Sequence, residues 1–230
     1  MDLMHDRLTL IIPSYRRPAA AALAARSAID NAVLPGTQVL IAVDGPHDLQ
    51  HEQAYAAIAT PRIGVIFGSE WRGMVGTLNS AANLITGSEL AADHTCQSIN
   101  CTRIGFVGFM GDDHRVRTEG WDRRLCMLAY RWGISYGNDL IQGSALPTAL
   151  VMAADIVRTL RFMGPPEIEH LYVDNYWMAL GLGLKTLGYD PDTVIEHLHV
   201  SVGKAPNDES YARTNSAQQY ERDGTAWREY

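Results

Sequence analysis

Three potential metal ligands follow an apolar run near the middle of this 230-residue chain. The run IGFVGF leads into FMGDDHRVRTEGWD, residues 109–122, where Asp112, Asp113 and His114 are consecutive. Carboxylate oxygen and imidazole nitrogen together suit Mn²⁺, Mg²⁺ or Zn²⁺. In an extended segment Asp112 and His114 share one side, whereas in a turn Asp113 is the candidate ligand. The competing interpretation is a solvated acidic turn at the end of a strand.

Apolar runs and helix-like segments alternate along the chain, which predicts an α/β domain with a mostly parallel sheet. Short apolar runs predict strands over residues 8–15, 37–46, 62–68 and 104–110. The segments between them predict helices over residues 16–33, 47–59 and 74–87. In the less regular second half we predict helices over residues 121–133, 148–162 and 172–190, and a strand over residues 193–203.

Polar residues stand where three of the predicted strands end. Ser14, Tyr15 and Arg16 follow the first strand, Asp44 follows the second, and the acidic cluster follows the fourth. Ligands of parallel sheets bind beyond the carboxyl ends of the strands. The sequence therefore predicts a binding site at this edge.

The composition is that of a globular protein, with a formal net charge of −7 that does not attract nucleic acid by bulk charge. Three cysteines fit a reducing compartment. The N-terminus MDLMHDRLTLIIP has too short an apolar run for a signal peptide, so we expect a cytoplasmic protein. His94, Cys96 and Cys101 lack the paired spacing of a zinc site, which favours a polar loop.

The order of the motifs resembles that of GT-A fold glycosyltransferases. IIPSYRRP, VDG, RG followed by LN, and an Asp cluster followed by GW occur in this order between residues 8 and 203. The pattern is most similar to the family 2 type, and within it to the short versions of bacteriophage genomes. The resemblance implies one GT-A, Rossmann-like domain over residues 1–204, with a nucleotide-binding part over 8–115 and an acceptor part over 116–204. The polar residues 205–230 are expected to form a C-terminal arm or lid.

The resemblance also implies roles for single side chains at matching positions. Nucleotide and donor binding falls on Pro13, Ser14, Tyr15, Arg16, Asp44, Arg72, Gly73, Asn79 and Asp112. Asp113 and His114 match the metal-binding Asp-X-Asp signature, although Gly111 stands where its first Asp could be. A late histidine that adds a ligand matches His199, with His197 as the alternative.

Asp174, in VDNYW, matches the general base of inverting members, and its competing role is that of a helix N-cap. A sugar leaves a nucleotide diphosphate readily only if the charge on the diphosphate is neutralised, which a divalent ion and a fixed cation such as Arg72 or Lys204 can do. Trp121, Trp177 and Lys204 are candidate contacts for the sugar or acceptor, and the alternative for the two tryptophans is core packing.

These features predict a Mn²⁺- or Mg²⁺-dependent, hexosyltransferase-like enzyme that moves a sugar from a nucleotide sugar, in the first instance a UDP-sugar, to an acceptor hydroxyl with inversion. The phage resemblance implies a hydroxymethylated base in phage DNA or a virion protein as acceptor, and no membrane partner. Four arginines are candidate contacts for DNA phosphates or a solvated helix start: Arg115, Arg117, Arg123 and Arg124. The competing functions are a metal-dependent phosphohydrolase using the Asp-Asp-His cluster and a non-catalytic nucleotide-sugar-binding module.

Overall fold

The structure is a computed structural model that describes residues 7–87 and 104–230. Within these ranges the chain forms eight strands: β1 (Arg7–Ser14), β2 (Gln38–Val43), β3 (Ile63–Phe67), β4 (Ile104–Phe109), β5 (His114–Val116), β6 (Ile134–Asn138), β7 (Leu150–Ala153) and β8 (Leu187–His197). The same ranges contain eight α-helices: α1 (Pro18–Asp30), α2 (Leu49–Ala56), α3 (Gly73–Thr86), α4 (Trp121–Trp132), α5 (Ala154–Leu160), α6 (Val173–Gly183), α7 (Glu209–Thr214) and α8 (Ala217–Glu229). The first six residues lie outside the described ranges, as do His94, Cys96 and Cys101.

All eight strands belong to one sheet in the order β3-β2-β1-β4-β7-β6-β8-β5. β1 pairs in parallel with β2 and β4, and β2 pairs in parallel with β3. β7 is antiparallel to both β4 and β6, and β6 is parallel to β8, so β4, β6 and β8 run in the same direction. The prediction of an α/β domain with a mostly parallel sheet is confirmed.

The carboxyl ends of β1, β2, β4 and β8 meet at one edge of this sheet. Ser14 ends β1, Asp44 follows β2, and His197 ends β8. β5 runs back along β8 and places His114 opposite His197. The turn between β4 and β5, residues 110–113, is therefore held against the end of β8.

The two faces of the sheet bury separate apolar layers. Leu10 and Ile12 of β1 pack on the face covered by α1 and α4, whereas Ile11 packs on the face covered by α3 and α6. This is the period-two alternation of a strand that is buried on both sides. α1 presents buried alanines to the sheet, which allows the helix to lie close to it: Ala21, Ala24, Ala25 and Ala28.

Three elements predicted for the second half of the chain have wrong boundaries. α5 begins at Ala154 rather than near residue 148, because Leu150–Ala153 forms the strand between β4 and β6. The helix predicted over residues 172–190 ends at Gly183, and β8 begins at Leu187 because it pairs with β6. The strand predicted over residues 193–203 accordingly ends at His197.

The polar C-terminal residues form α7 and α8, which pack on the domain through a few buried side chains. Tyr211 of α7 is 7% exposed, and Asp223 of α8 is fully buried. In the part of the chain described here, no helix combines the length and the apolar character that a bilayer-crossing segment needs.

Candidate active site

A cleft of about 280 Å³ opens at the edge of the sheet where the strand ends meet. Its walls come from the residues after β1, β2 and β4, the start of α6, the end of β8, and α7. Eight of the residues predicted to bind the nucleotide or the metal line this cleft: Pro13, Ser14, Tyr15, Asp44, Asp112, Asp113, His114 and His199. The fold therefore brings together side chains that are far apart along the chain.

One end of the cleft holds a cluster of metal-ligating side chains, Asp113, His114 and His197, whose ligand atoms lie within 4.8 Å of one another. His114 Nδ1 lies 3.0 Å from one carboxylate oxygen of Asp113, and His197 Nε2 lies 3.3 Å from the other. The two imidazole rings stack with their centroids 4.1 Å apart. The β5–β8 pairing positions both histidines, since it sets residue 114 opposite residue 197.

The surroundings of this cluster fit a divalent cation. His114 Nε2 is buried and has no hydrogen-bond partner among the described residues, which is costly unless a ligand meets it. Two nitrogens and a carboxylate are donors that Mn²⁺ and Zn²⁺ accept. A Cβ at Gly111 would lie 2.7 Å from Asp113 Oδ1 and 2.8 Å from His114 Nδ1. Glycine at this position thus leaves room for the ligands, which explains why no Asp stands there.

The predicted third ligand, His199, lies in the cleft wall but outside this cluster. It follows the end of β8, and its Nδ1 faces the backbone N–H of Ser201 at 3.2 Å and the hydroxyl of the same residue at 2.8 Å. The structure therefore places His197, the alternative in the sequence, beside Asp113 and His114.

Asp139 lies behind His197, on the side away from Asp113. Its carboxylate accepts hydrogen bonds from three backbone N–H groups at residues 141–143 and from the Thr148 hydroxyl. His197 Nδ1 lies 3.9 Å from it. Burial lowers the pKa of His197, but Asp113 and Asp139 outweigh this effect and raise that pKa to about 9. The two carboxylates hold the imidazole between them, with one nitrogen facing each.

Asp112 points away from the metal-ligand cluster, toward the end of β1. It accepts a hydrogen bond from the Ser14 hydroxyl at 3.2 Å and lies 3.0 Å from a guanidinium nitrogen of Arg17. Burial raises the pKa of Asp112 to about 7, although Arg17 opposes the shift. Asp112 therefore belongs to the region after β1 and joins it to the acidic turn.

Arg17 is a functional candidate that the sequence reasoning missed in favour of Arg16. Its guanidinium lies between Asp112 and Asp208, and its side chain is 17% exposed. Arg16 has a positive φ of 54° and turns outward, so its side chain is 61% exposed and does not line the cleft. The available signal was the position of Arg17 directly before Pro18, where α1 begins and the chain still lies at the edge of the sheet.

The other end of the cleft combines a buried carboxylate with two aromatic rings. Asp44 is 3% exposed and accepts the backbone N–H of Arg72 through Oδ1, while Oδ2 has no hydrogen-bond partner within the described residues. Burial raises the pKa of Asp44. Tyr15 and Trp71 meet edge to face at 4.5 Å, and Arg213 lies 3.9 Å from the Trp71 ring centroid.

Arg72 and Asn79 support this end of the cleft from outside it. The Arg72 backbone binds Asp44, while its guanidinium donates to the Ser80 hydroxyl. Asn79 is buried, accepts the backbone N–H groups of residues 163 and 164, and donates to the carbonyl of Gly164. These three hydrogen bonds join Asn79 to the 163–164 loop and fix α3 against the segment before α6.

Gly73, the first residue of α3, lies where any side chain would be excluded. Its φ is +75°, and a Cβ would collide with the Glu169 side chain and lie 3.1 Å from the Glu169 carbonyl oxygen. We expect Gly73→Ala to lower the free energy of unfolding by about 2–4 kcal/mol. Gly87→Ala, at the other end of the same helix, is the matched control: its φ is +67° but nothing lies within 4 Å of the new Cβ. In urea unfolding the control should lose only about 1–2 kcal/mol, and equal losses would contradict the packing argument.

Asp174 lies in the first turn of α6 and lines the cleft. One carboxylate oxygen accepts the backbone N–H of Asn175 at 2.9 Å. Burial raises the pKa of Asp174. It is not the N-cap residue, which is Tyr172 in a left-handed conformation with no side-chain cap bond. The carboxylate therefore faces the cleft with a raised proton affinity, as a base acting near neutral pH requires.

Three predicted contact residues lie away from the open part of the cleft. Trp121 is fully buried in the α1–α4 layer and donates to the Ala28 carbonyl at 2.9 Å. Trp177 is fully buried at the floor and donates to the Met163 carbonyl at 2.6 Å. Lys204 lies outside the cleft and pairs with a carboxylate, Glu196, at 2.6 Å.

α8 holds the segment that leads to Asp174. The buried carboxylate of Asp223 accepts the backbone N–H groups of Glu169, His170 and Leu171 at 3.1, 2.9 and 2.7 Å, and the Gln219 amide at 2.9 Å. Because residues 170 and 171 line the cleft, this carboxylate supports the wall next to α6.

We expect Asp223→Ala to lower the free energy of unfolding by about 3 kcal/mol or more, since it leaves three backbone donors without their acceptor. Urea unfolding measures the loss. Asp223→Asn keeps one accepting oxygen and should lose less. Glu221→Ala, on the exposed side of the same helix, should be nearly neutral. A neutral Asp223→Ala would show that these hydrogen bonds contribute little.

Comparison with known proteins gives a fold but no relative by sequence. No protein-family model and no curated protein matches the chain. Among solved structures, a mannosyltransferase from Pyrobaculum calidifontis, in complex with GDP-Man and Mn²⁺, superposes with a TM-score of 0.66 at 15% identity over 96% of this chain and 64% of its own. Glucosyl-3-phosphoglycerate synthase from Mycobacterium tuberculosis gives 0.59 at 13% identity over 96% and 81%. S. aureus TarS gives 0.58 at 12% identity over 82% and 36%.

The chain thus spans about a third of TarS and somewhat under two thirds of the mannosyltransferase. At these identities the likeness concerns the fold. The mostly parallel sheet and the cleft at its carboxyl edge are consistent with the fold that these structural neighbours share. The chain has the fold of the GT-A glycosyltransferases.

Proposed function

We propose that this protein is a metal-dependent glycosyltransferase that moves a sugar from a nucleotide sugar to an acceptor hydroxyl. The observation that carries the proposal is that one cleft contains a cluster of metal-ligating side chains, an aromatic and carboxylate subsite, and a buried carboxylate, Asp174, with a raised pKa. The fold supports it, since structural neighbours are glycosyltransferases.

Asp113, His114 and His197 would hold a divalent cation, Mn²⁺ or Mg²⁺, with the orphaned His114 Nε2 as one donor. When bound, such an ion neutralises charge on a departing diphosphate. Arg17 is the chain's own cation near this point, 3.0 Å from Asp112. Its planar guanidinium suits phosphate oxygens, so we assign Arg17 the role first given to Arg16.

The nucleoside would lie at the other end of the cleft. The unpartnered Oδ2 of Asp44 can accept a hydrogen bond from a ribose hydroxyl or a base N–H. Trp71 and Tyr15 offer aromatic surface to a base. Ser14 and Pro13 line the passage between this subsite and the acidic turn. We therefore keep the prediction that this loop binds the nucleotide, and we place the donor's diphosphate near Arg17.

Asp174 is the proposed general base. An acceptor hydroxyl loses its proton as it attacks the sugar, and a positioned carboxylate can take it, which contributes about 10²–10⁴-fold. Attack assisted by a separate base on the face opposite the leaving group inverts the configuration, so inversion remains our prediction. The neighbouring Asp139 and His197 charges act on Asp174 in opposite directions.

The donor is expected to be a UDP-sugar or a GDP-sugar of a hexose. Solved neighbours include TarS in complex with UDP-GlcNAc and a mannosyltransferase in complex with GDP-Man. UDP remains our first choice for the nucleotide. The three cysteines keep the cytoplasm as the expected compartment.

For the acceptor, a phage DNA base or a virion protein hydroxyl stays a prediction. Three arginines proposed as DNA contacts already bind within the protein. Arg117 and Arg124 pair with Glu196 and Asp190 at 2.7 Å each, and Arg115 donates to the backbone carbonyls of residues 112 and 114. DNA phosphates would have to compete with these contacts, so the protein hydroxyl is the acceptor class we favour.

The experiment is a donor turnover assay with UDP-glucose, UDP-GlcNAc and GDP-mannose, each with Mn²⁺ and with EDTA. We expect release of one nucleoside diphosphate that requires Mn²⁺, slow with water and faster with a suitable acceptor. Release of phosphate from simple esters, with no nucleoside diphosphate from any donor, would favour the phosphohydrolase. Binding without turnover in every condition would favour the non-catalytic module.

A further inference from the structure

Two carboxylates at the N-terminal end of α7 form ion pairs with the two arginines that follow β1. Asp208, which caps α7, lies 3.4 Å from Arg17, and Glu209 lies 3.7 Å from Arg16. The first pair is largely enclosed, with side-chain exposures of 17% and 35%, whereas the second is exposed. An acidic side chain of the protein itself therefore pairs with Arg17, the residue that we propose binds the donor's diphosphate.

Tyr211 of α7 contacts the metal-ligand cluster directly. Its hydroxyl donates a 2.5 Å hydrogen bond to Asp113 Oδ2, the oxygen that also lies 3.3 Å from His197 Nε2. The Tyr211 ring in turn lies 4.8 Å from the Arg17 guanidinium carbon. A hydroxyl hydrogen and a divalent cation compete for the lone pairs of the same carboxylate oxygen.

Arg213, two residues further along α7, covers the nucleoside end of the cleft. Its guanidinium carbon lies 3.9 Å from the Trp71 ring centroid and 5.7 Å from that of Tyr15. Its positive charge also acts to lower the pKa of Asp44, against the larger effect of burial. A planar cation therefore lies over the aromatic surface that would receive a base.

From these three contacts we infer that α7 is an autoinhibitory segment that occupies the donor site until metal and nucleotide displace it; the inference rests on the proposed function. Each contact occupies a position that one part of the donor complex would need. The Asp208 carboxylate lies where a phosphate would meet Arg17, and the Tyr211 hydroxyl binds the Asp113 oxygen that would bind the metal. Arg213 covers the aromatic surface that would receive the base.

The architecture allows α7 to leave while the rest of the C-terminal segment stays. α8 is anchored by Asp223, which is fully buried and bonded to residues 169–171. α7 is joined to the domain by a turn with Gly203 at φ +70° and nothing within 4 Å of its Cβ position. Residues 205–230 were expected to form an arm or a lid over the bound donor. If α7 is such a lid, it favours metal binding, whereas if it is autoinhibitory, it opposes metal binding.

The test is a titration of the full-length protein with Mn²⁺ alone, in which electron paramagnetic resonance measures the concentration of the free ion. Tyr211→Phe removes only the hydroxyl. Asp208→Asn removes the charge that faces Arg17 but keeps a side chain that can cap α7. Tyr130→Phe, an exposed tyrosine on α4, is the control. In wild type only the fraction of molecules with α7 displaced can bind Mn²⁺, and each variant should increase this fraction. We therefore expect both variants to lower the apparent Kd for Mn²⁺ about three- to tenfold.

Weaker Mn²⁺ binding by Tyr211→Phe would make α7 a supporting lid and overturn the inference, as would an unchanged Kd in both variants. Tighter binding by Asp208→Asn supports it with particular force, because residue 208 does not touch the metal ligands directly. If wild type does not bind Mn²⁺ in this titration, the proposed function fails and the inference with it. Binding by wild type with no gain in the variants removes the autoinhibition alone.

Discussion

Asp113→Ala is expected to lower kcat/KM by about 10³-fold or more and to abolish Mn²⁺ binding. Asp113 is the centre of the cluster, since its two oxygens face His114 at 3.0 Å and His197 at 3.3 Å. Without it, the buried imidazole of His114 and the partly exposed one of His197 stack at 4.1 Å with no carboxylate between their nitrogens. A charge-stabilising contribution of several kcal/mol to the departing diphosphate is then lost.

The measurement is the initial rate of nucleoside diphosphate release over a Mn²⁺ series, together with the Mn²⁺ titration. Glu119→Ala is the matched control, because this acidic residue is exposed and lies close by in the sequence. Its rate should stay within about twofold of wild type. Wild-type metal dependence in Asp113→Ala would show that the cluster is an acidic turn and not a metal site.

Asp174→Asn is expected to lower kcat by about 10²–10⁴-fold while metal and nucleotide affinities change little. The amide preserves the shape of the carboxylate and its contact with the Asn175 backbone but cannot take a proton. The wild-type pH profile should carry the same information. Because burial raises the pKa of Asp174 and the base acts when ionised, kcat should rise with pH through a value above the ordinary range of an aspartate.

Asp155→Asn is the control for Asp174→Asn, because residue 155 is also an aspartate in the first turn of a helix but lies on the exposed surface. The acid limb of kcat should be absent from Asp174→Asn and retained in Asp155→Asn. Near-wild-type turnover by Asp174→Asn would remove this residue as base and favour a retaining mechanism.

The first half of the fold follows closely from the sequence. Its strands are continuous apolar runs, and the first three are each followed by a helix, such as α1, which begins at Pro18 before a run of alanines. In this regular part the carboxyl ends of β1, β2 and β4 have to meet, so Ser14, Asp44 and Asp113 could be grouped before the structure was known.

The second half depends on pairing that no local pattern shows. β7 is four residues long and gains its place from β4 and β6, which lie on either side of it. The end of β8 decides between His197 and His199, and it is set by β5 and the backbone bond from His197 N–H to the Asp139 carbonyl. A period-two pattern alone puts both histidines on one face and cannot choose.

The C-terminal helices α7 and α8 leave little signal in the sequence. α7 and α8 are polar, and each attaches through very few buried side chains, notably Tyr211 and Asp223. Single buried positions in a polar helix produce almost no periodic signal. Arg17 was missed for a related reason, since the outward turn at Arg16, with its φ of 54°, is a property of the backbone and not of residue type.

Calorimetric and thermal-unfolding titrations with UDP and GDP, each with and without Mn²⁺, test the central claim most directly, in wild type and in Asp113→Ala. We expect one nucleotide to bind wild type only when Mn²⁺ is present. At 100 times its Kd it should stabilise the protein by about 2.7 kcal/mol, which raises Tm by roughly 5–10 °C. Asp113→Ala should show no such shift. Nucleotide binding that ignores both Mn²⁺ and residue 113, or no binding of either nucleotide under any condition, would contradict a metal-dependent nucleotide-sugar site.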